Sequence, residues 1–408
     1  MKKKSLSIIL CIVMVFCLVG CRANGSTTNN VTNNITNEIT NKVVNYEDIK
    51  ITDLENAVEE TVKRVENAVI GVILKQVSTV SGNVTSEDNY GIGSGVIYKR
   101  VENYNGETLT GYTYYAITNR HVVTDEDGKL KGESKVYVYL GFHDLELEAK
   151  VIAYDDKDDL ACITFNSNIF IQPVEFADSD QIKKGSFVIA VGNPEGFDYY
   201  GSVTFGVVSG PLRYISADTD GDGTKDFYGK YIQHDASINP GNSGGGLFTL
   251  DGKLIGINTL KISSNNVDNM GFAIPSNEVK LVVTEYLEKN IKIVRPRLGI
   301  SGTTVRDLTP ATISQLGLKS IPTSIYEAGE AAYGIYIRDV TSGGTMSSTT
   351  ITADDILLTF DGVKLKNMST LSAMLNTLTD YKVGSSVKIT YYDRSENKVV
   401  ETNIVLKA

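Results

Sequence analysis

Between residues 68 and 274 the chain is a close succession of short β-rich runs separated by Gly- and Asn-bearing turns. The runs fall at 69–77, 91–99, 113–118, 136–140, 151–153, 161–165, 187–191, 201–209, 247–250 and 253–262. Strands this short and this dense belong to a sandwich or a barrel, and periodicity alone does not choose between them. Val, Ile, Thr and Tyr supply the strands, and 37 glycines supply the turns. With 408 residues, 41% of them hydrophobic, the chain has enough apolar mass for two or three folded units.

One turn carries chemistry. Asn239-Pro240-Gly241-Asn242-Ser243-Gly244-Gly245-Gly246-Leu247 sets a serine among glycines. Glycine permits backbone angles that a side chain forbids, and it lets a substrate carbonyl approach the main chain. A serine nucleophile needs a histidine base and a carboxylate to orient that base. The chain holds only three histidines. His121 ends the apolar run 115–118, at a strand-to-loop edge. His143 sits in the turn-like Gly141-Phe142-His143-Asp144 and reads as a surface residue. His234 precedes Asp235 near the serine and reads as lining the cleft rather than as the base. For the carboxylate, Asp155-Asp156-Lys157-Asp158-Asp159 precedes an apolar strand from Leu160. Asp159 abuts that strand and can turn inward; position alone does not exclude Asp158.

The order His121, Asp159, Ser243 within Thr118-Asn119-Arg120-His121-Val122-Val123, Asp159-Leu160-Ala161 and Gly241-Asn242-Ser243-Gly244-Gly245 resembles the HtrA (Deg) family. These are bacterial trypsin-like serine proteases with a C-terminal PDZ domain. Further matching pieces are Gly91-Ile92-Gly93-Ser94-Gly95-Val96-Ile97, Val191-Gly192-Asn193-Pro194, Gly206-Val207-Val208-Ser209, Ile232-Gln233-His234-Asp235-Ala236 and Gly271-Phe272-Ala273-Ile274-Pro275-Ser276-Asn277. The resemblance runs from about Val58 to the C-terminus. Two pieces depart from it. Gly246 stands where the family has proline, and Arg120 where it often has Asn.

The resemblance implies a mostly β fold, with two six-stranded barrels and a cleft between them. It implies His121, Asp159 and Ser243 as a triad. Backbone N–H groups of Gly241 and Ser243 would form the oxyanion hole, with Asn242 shaping the turn. Ser237, six residues before the nucleophile, would lie at the base of the primary specificity pocket, with Asn258, Thr259 and Leu260 opposite. An uncharged base there predicts cleavage after small or medium aliphatic residues, not after Lys or Arg. No metal or organic cofactor is required. A homotrimer built through the N-terminal part of the protease domain is a further implied trait.

Helical spacing appears at 52–67, through Leu54, Val58, Val62 and Val65, with Thr52 or Asp53 as the expected cap. A second helix is expected at 275–290, with Val279, Val282, Val283, Tyr286 and Leu287 on its apolar face. Beyond it, 293–408 reads as a separate domain. Arg297-Leu298-Gly299-Ile300 and Ala353-Asp354-Asp355-Ile356-Leu357-Leu358-Thr359-Phe360-Asp361-Gly362 resemble an HtrA-type PDZ domain. The first would be its carboxylate-binding loop, and 369–378 the helix beside the groove. Such a domain adds a peptide C-terminus to a sheet edge. Residues 343–351 depart from the family's usual Gly-Ser-Pro-Ala-Ala pattern.

At the N-terminus, Lys2, Lys3 and Lys4 precede the apolar run 6–19, which is short for a membrane span. Leu18-Val19-Gly20-Cys21 resembles a bacterial lipoprotein cleavage box, which makes Cys21 the expected lipidation site. Two or more acyl chains hold a protein stably on a membrane. The Asn- and Thr-rich stretch after it reads as a flexible tether. The expected organisation is therefore a signal peptide at 1–20, a lipidated tether at 21–45, a protease domain at 46–292 and a PDZ domain at 293–408. The protein would sit in the cell envelope, on the outer face of the cytoplasmic membrane. Cys11 and Cys17 would leave with the signal, and Cys162 would remain as a buried structural thiol. The net charge of −10, which loss of those three lysines takes to −13, argues against nucleic-acid binding.

One insertion is unusual. Asp218-Thr219-Asp220-Gly221-Asp222-Gly223-Thr224-Lys225-Asp226 resembles the start of an EF-hand loop. Asp218, Asp220, Asp222 and Asp226 offer oxygens for calcium, but Gly229 falls where a bidentate carboxylate is needed. In the HtrA family this region is a regulatory loop. The reading as a whole is an ATP-independent serine endopeptidase that degrades misfolded extracytoplasmic proteins. The rival is a chaperone or peptide-binding scaffold with latent or lost proteolysis.

Overall fold

A computed structural model describes residues 50–80, 83–124, 134–194, 197–217, 227–259, 269–325 and 333–408. The signal segment, Cys21, the tether, the acidic insertion and Leu260 lie outside the described residues. Residues 50–408 form one compact unit.

The chain enters through α1 (Ile51–Val65), which lays Val58, Val62 and Val65 on the core. Its N-cap is Lys50, with no side-chain capping bond, so neither Thr52 nor Asp53 caps it. Both lie in the first turn of the helix instead. Six strands follow: β1 (Val69–Val80), β2 (Asn83–Asn105), β3 (Thr108–Asn119), β4 (Ser134–Leu140), β5 (Leu145–Asp155) and β6 (Leu160–Ser167). They close into a barrel in the order β1-β2-β3-β6-β5-β4. A short helix, α2 (Arg120–Val123), leaves the end of β3. Alternation sets the inner face: in β4, Val136, Val138 and Leu140 point in while their neighbours stay half-exposed. In β6 the run Leu160 to Ile163 is fully buried. Cys162 is buried there beside the Tyr98 hydroxyl, and burial pushes its thiol up to about 12.

The second set is β7 (Glu175–Phe176), β8 (Phe187–Gly192), β9 (Ser202–Ala217), β10 (Phe227–His234), β11 (Gly246–Thr249), β12 (Lys253–Thr259) and β13 (Gly271–Pro275). Its order is β11-β8-β9-β10-β13-β12-β7, and a further β11–β12 pairing closes six of the strands into a ring. Val188, Ala190, Val208, Ile232, Leu247 and Ile255 fill it. The helix expected after β13 is α3 (Ser276–Val282), which passes into a π-helical turn at Val283–Leu287. Val279, Val282, Val283 and Leu287 are buried in a core cluster shared by the two strand sets.

A third sheet runs β14 (Ile300–Thr304), β15 (Ile335–Val340), β16 (Ile356–Phe360), β18 (Ser386–Asp393), β19 (Lys398–Val405), with β17 (Val363–Lys364) beside β16. Two helices accompany it, α4 (Pro310–Gln315) and α5 (Met368–Asn376). This sheet has its own core of Leu298, Ile335, Ile337, Phe360, Leu371, Met374 and Ile389. β14 is an edge strand. The departing segment 343–351 is bonded to the loop before it: Thr345 N–H donates to the Arg297 carbonyl at 3.1 Å and Met346 N–H to that of Leu298 at 2.9 Å.

The end of α5 reaches the second barrel. Asn376 Nδ2 donates to the Tyr228 carbonyl at 3.0 Å, and Lys230 Nζ and the Tyr214 hydroxyl both bond Asp380 at 2.9 Å. Leu378 packs within the core cluster shared by the first barrel, the second strand set and α3.

Candidate active site

The register of one strand pair brings the expected base and acid together. β3 and β6 are antiparallel, with Asn119 opposite Leu160 at the end of each strand. His121 lies just past that end and Asp159 just before it. Asp159 has φ +53°, a left-handed conformation that Asp adopts more readily than most residues. Asn119 Nδ2 and Arg120 N–H both donate to its carbonyl, at 2.9 and 3.0 Å. Its carboxylate then faces His121. Oδ2 lies 2.8 Å from Nδ1, and Oδ1 accepts the His121 backbone N–H at 3.1 Å. A carboxylate against Nδ1 selects the tautomer that leaves Nε2 as acceptor. The acid side chain is nearly sealed from solvent, at 4% exposed, whereas the imidazole is 20% exposed.

Asp158 points elsewhere. It bonds Arg295, and burial, with Glu278 and Asp155 nearby, holds its carboxyl well above the usual range despite that partner. The other two histidines separate equally clearly. His143 is exposed in a 3-10 turn. His234 is fully buried against Gly271. Burial lowers its pKa to about 4. It does not line a cleft.

Ser243 follows a β-turn at 239–242, closed by Asn242 N–H to the Asn239 carbonyl at 3.0 Å. Gly241, third in that turn, has φ +98°, which makes it type II. Types I and II differ by a flip of the central peptide, the one carrying the Gly241 N–H. The turn is pinned from the first barrel. Ser94 Oγ donates to the Gly241 carbonyl at 2.7 Å, and Ser94 N–H to the Ser243 carbonyl at 2.8 Å. Ser94 Oγ in turn accepts from Asn193 N–H at 2.9 Å. Gly244, at φ +84°, passes so close to the Ser94 carbonyl that a Cβ would overlap it. Asn242 uses its N–H and C=O inside the turn, which gives it a shaping role. Gly246 leaves room for the Phe248 ring, which occupies the space a side chain would need.

The expected pocket residues are placed unevenly. Ser237 is exposed, and its hydroxyl donates to Asn269 Oδ1 at 3.3 Å. Asn258 and Thr259 are 0% and 3% exposed, so their side chains form no open wall. Asn258 Nδ2 turns to the Gly246 carbonyl at 3.1 Å, and Thr259 Oγ1 approaches Asp159 Oδ2 at 3.4 Å. Both faces of β12 are covered, so both side chains are buried although they point to opposite sides of the strand. Ser94, Asn119, Asn193 and Asn269 had no assigned role in the sequence, although Ser94, Asn119 and Asn193 lie in the motif pieces. Asp235 also acquires one, accepting the Val207 N–H at 2.6 Å where β9 and β10 are irregular. Among the described residues no cluster of three or more His, Cys, Asp or Glu side chains is placed to hold a metal ion.

Comparison with known proteins agrees with this geometry. Residues 93–257 match the trypsin-like peptidase domain family. The serine protease Do-like HtrA of Bacillus subtilis (strain 168) is 35% identical over 346 residues, covering 81% of this chain and 69% of that protein. A serine protease HtrA-like protein of Staphylococcus epidermidis is 35% identical over 311 residues, 75% of this chain and 48% of its own length. Among solved structures, the HtrA-type protease AlgW with a decapeptide is 25% identical, with a TM-score of 0.56, over 86% of this chain and 98% of that one. The chain belongs to the HtrA family of trypsin-like serine endopeptidases.

Proposed function

We propose that Ser243 attacks the scissile carbonyl, that His121 takes its proton and returns it to the leaving amine, and that Asp159 orients and stabilises the imidazolium. The observation that carries this reading is the 2.8 Å His121–Asp159 pair beside the pinned type II turn that bears Ser243. The Gly241 and Ser243 N–H groups form the oxyanion hole, and losing one such donor costs about 2.7–4 kcal/mol of transition-state stabilisation. Water then releases the acyl-enzyme. Every step uses groups on this chain and water.

The substrates are unfolded or misfolded proteins outside the cytoplasm. The third sheet serves as a PDZ domain that takes peptide C-termini along β14. Its edge position beside α5, with Leu298 buried at the head of the groove, supports that role. Cys21 carries the lipid anchor to the outer face of the cytoplasmic membrane, and the working particle is a homotrimer. The described helices include none long and apolar enough to cross a membrane. Casein degradation by the wild type and by Ser243→Ala tests the central assignment. Loss in the variant alone supports it, and equal degradation overturns it. Replacing Cys21 with Ser should release the protein from the membrane fraction. Calorimetry at millimolar calcium tests Asp218, Asp220, Asp222 and Asp226, and an absence of heat ends the calcium reading.

A further inference from the structure

The turn that delivers Asp159 is held by a residue far along the chain. Asp155 starts that turn, and its Oδ2 accepts the N–H groups of Lys157 and Asp158 at 3.0 and 2.7 Å. Arg295, in the segment between the π-helical turn and β14, closes over it. Its two terminal nitrogens fork onto Asp155 at 2.9 and 2.8 Å, and one also bonds Asp158 Oδ2 at 2.5 Å. Its Nε donates to the carbonyl of Asn376, the last residue of α5, at 3.0 Å. All three side chains are nearly buried, at 11% exposed for Arg295 and Asp155 and 6% for Asp158.

The end of α5 is held from a second side. Glu278 of α3 accepts the N–H groups of Leu378 and Thr379 at 2.7 and 2.9 Å. One guanidinium therefore touches both the turn leading into Asp159 and the end of the helix that flanks β14.

We propose that Arg295 is a positioning residue: it holds the 155–158 turn in the shape that delivers Asp159, and it ties that shape to the position of the C-terminal end of α5. The proposal rests on the reading of Asp159 as the triad's acid. Three observations carry it. Two buried carboxylates side by side need a cation to stay in one arrangement. The turn that Arg295 holds runs directly into Asp159, whose left-handed backbone is less populated than the right-handed and extended regions. A forked guanidinium fixes two acceptors and a carbonyl at once, which an ammonium does not.

Arg295 is separable from domain docking as such. Lys230, Tyr214 and Asn376 Nδ2 join the same units without touching the turn.

The test uses the full chain and a fluorophosphonate, which phosphonylates the active-site serine: a Ser243 Oγ–P bond forms and fluoride leaves. The labelling end-point counts competent molecules, and the rate constant reads their reactivity. Peptide hydrolysis adds kcat and KM. Ser243→Ala and Asp159→Asn come first. If Asp159→Asn labels at the wild-type rate, the triad reading itself has failed, and that failure is distinct from one at Arg295. With the triad standing, Arg295→Ala should lower the labelling rate constant and kcat on the order of 10–100-fold, the scale of a small misplacement of a catalytic group. KM should stay within about twofold. Arg295→Lys should recover part of the loss, and Lys230→Ala should stay within about twofold of wild type. Wild-type rates in Arg295→Ala overturn the proposal. So does an equal loss in Lys230→Ala, or a loss confined to KM. If Arg295→Ala does not fold, Arg295→Lys decides. A fall of about threefold or more in the rate constant at constant KM supports the proposal, and the wild-type rate overturns it.

Discussion

His121 and Asp159 are joined twice: one carboxylate oxygen lies 2.8 Å from Nδ1, and the other accepts the backbone N–H of the same histidine at 3.1 Å. The acid therefore fixes both the ring and the chain that carries it. Asp159→Asn keeps the shape but presents an amide where Nδ1–H needs an acceptor, which favours the wrong tautomer. We expect kcat to fall by about 10⁴-fold, with residual activity from the oxyanion hole. Steady-state kinetics beside Ser243→Ala measures this, and a fall under about tenfold would show that the acid is not Asp159.

Ser94 is the second control on the nucleophile, because its hydroxyl bonds the Gly241 carbonyl and accepts from buried Asn193. Ser94→Ala leaves both without that partner. Stability should drop by about 1–3 kcal/mol, the cost of stranding a buried polar group. At a temperature where the variant remains folded, kcat should fall while KM holds, since the turn and not the substrate surface is disturbed. Denaturant unfolding and kinetics read the two effects separately.

Ser237 is exposed and bonded to Asn269; on the proposed pocket assignment it is an uncharged base where a trypsin-like pocket would select Lys or Arg. The wild type should cut after small or medium aliphatic residues. Ser237→Asp should raise kcat/KM for Arg and Lys relative to Val by about tenfold or more, equivalent to about 1.4 kcal/mol. Peptide-library profiling decides, and dominant cutting after Arg or Lys by the wild type would overturn the pocket assignment.

Much of this was legible beforehand for a physical reason. A triad can draw on only three histidines here, and His121, in Thr118-Asn119-Arg120-His121-Val122-Val123, is the one in the motif that the resemblance assigns to the base. Strand density likewise announced a sandwich or a barrel, because turn chemistry is local, and the family resemblance chose the barrels. What stayed hidden depends on backbone angle or on distance. Position favours Asp159, which abuts the strand, without excluding Asp158; the left-handed backbone of Asp159 and the Arg295 contact of Asp158 separate them. Arg295 itself lies 137 residues from Asp158, and no short-range pattern connects them. Asn258 and Thr259 read as pocket walls until β12 proves buried on both faces.

His234 supplies a pH prediction that involves no catalytic group. Burial lowers its folded-state pKa from 6.5 to about 4. Between those values the unfolded chain binds a proton that the folded chain refuses, so stability rises with pH across the window. The full contribution is present above pH 6.5 and is lost as pH falls toward 4. At about 1.4 kcal/mol per pKa unit, the loss by pH 4 is about 3 kcal/mol. A residue that does not titrate there removes the term, whatever it does to stability at neutral pH. His234→Thr should therefore lose about 3 kcal/mol less than the wild type between pH 7 and pH 4. Urea unfolding at each pH measures that difference. Equal losses in the two proteins would mean that the ring takes up its proton in the folded state.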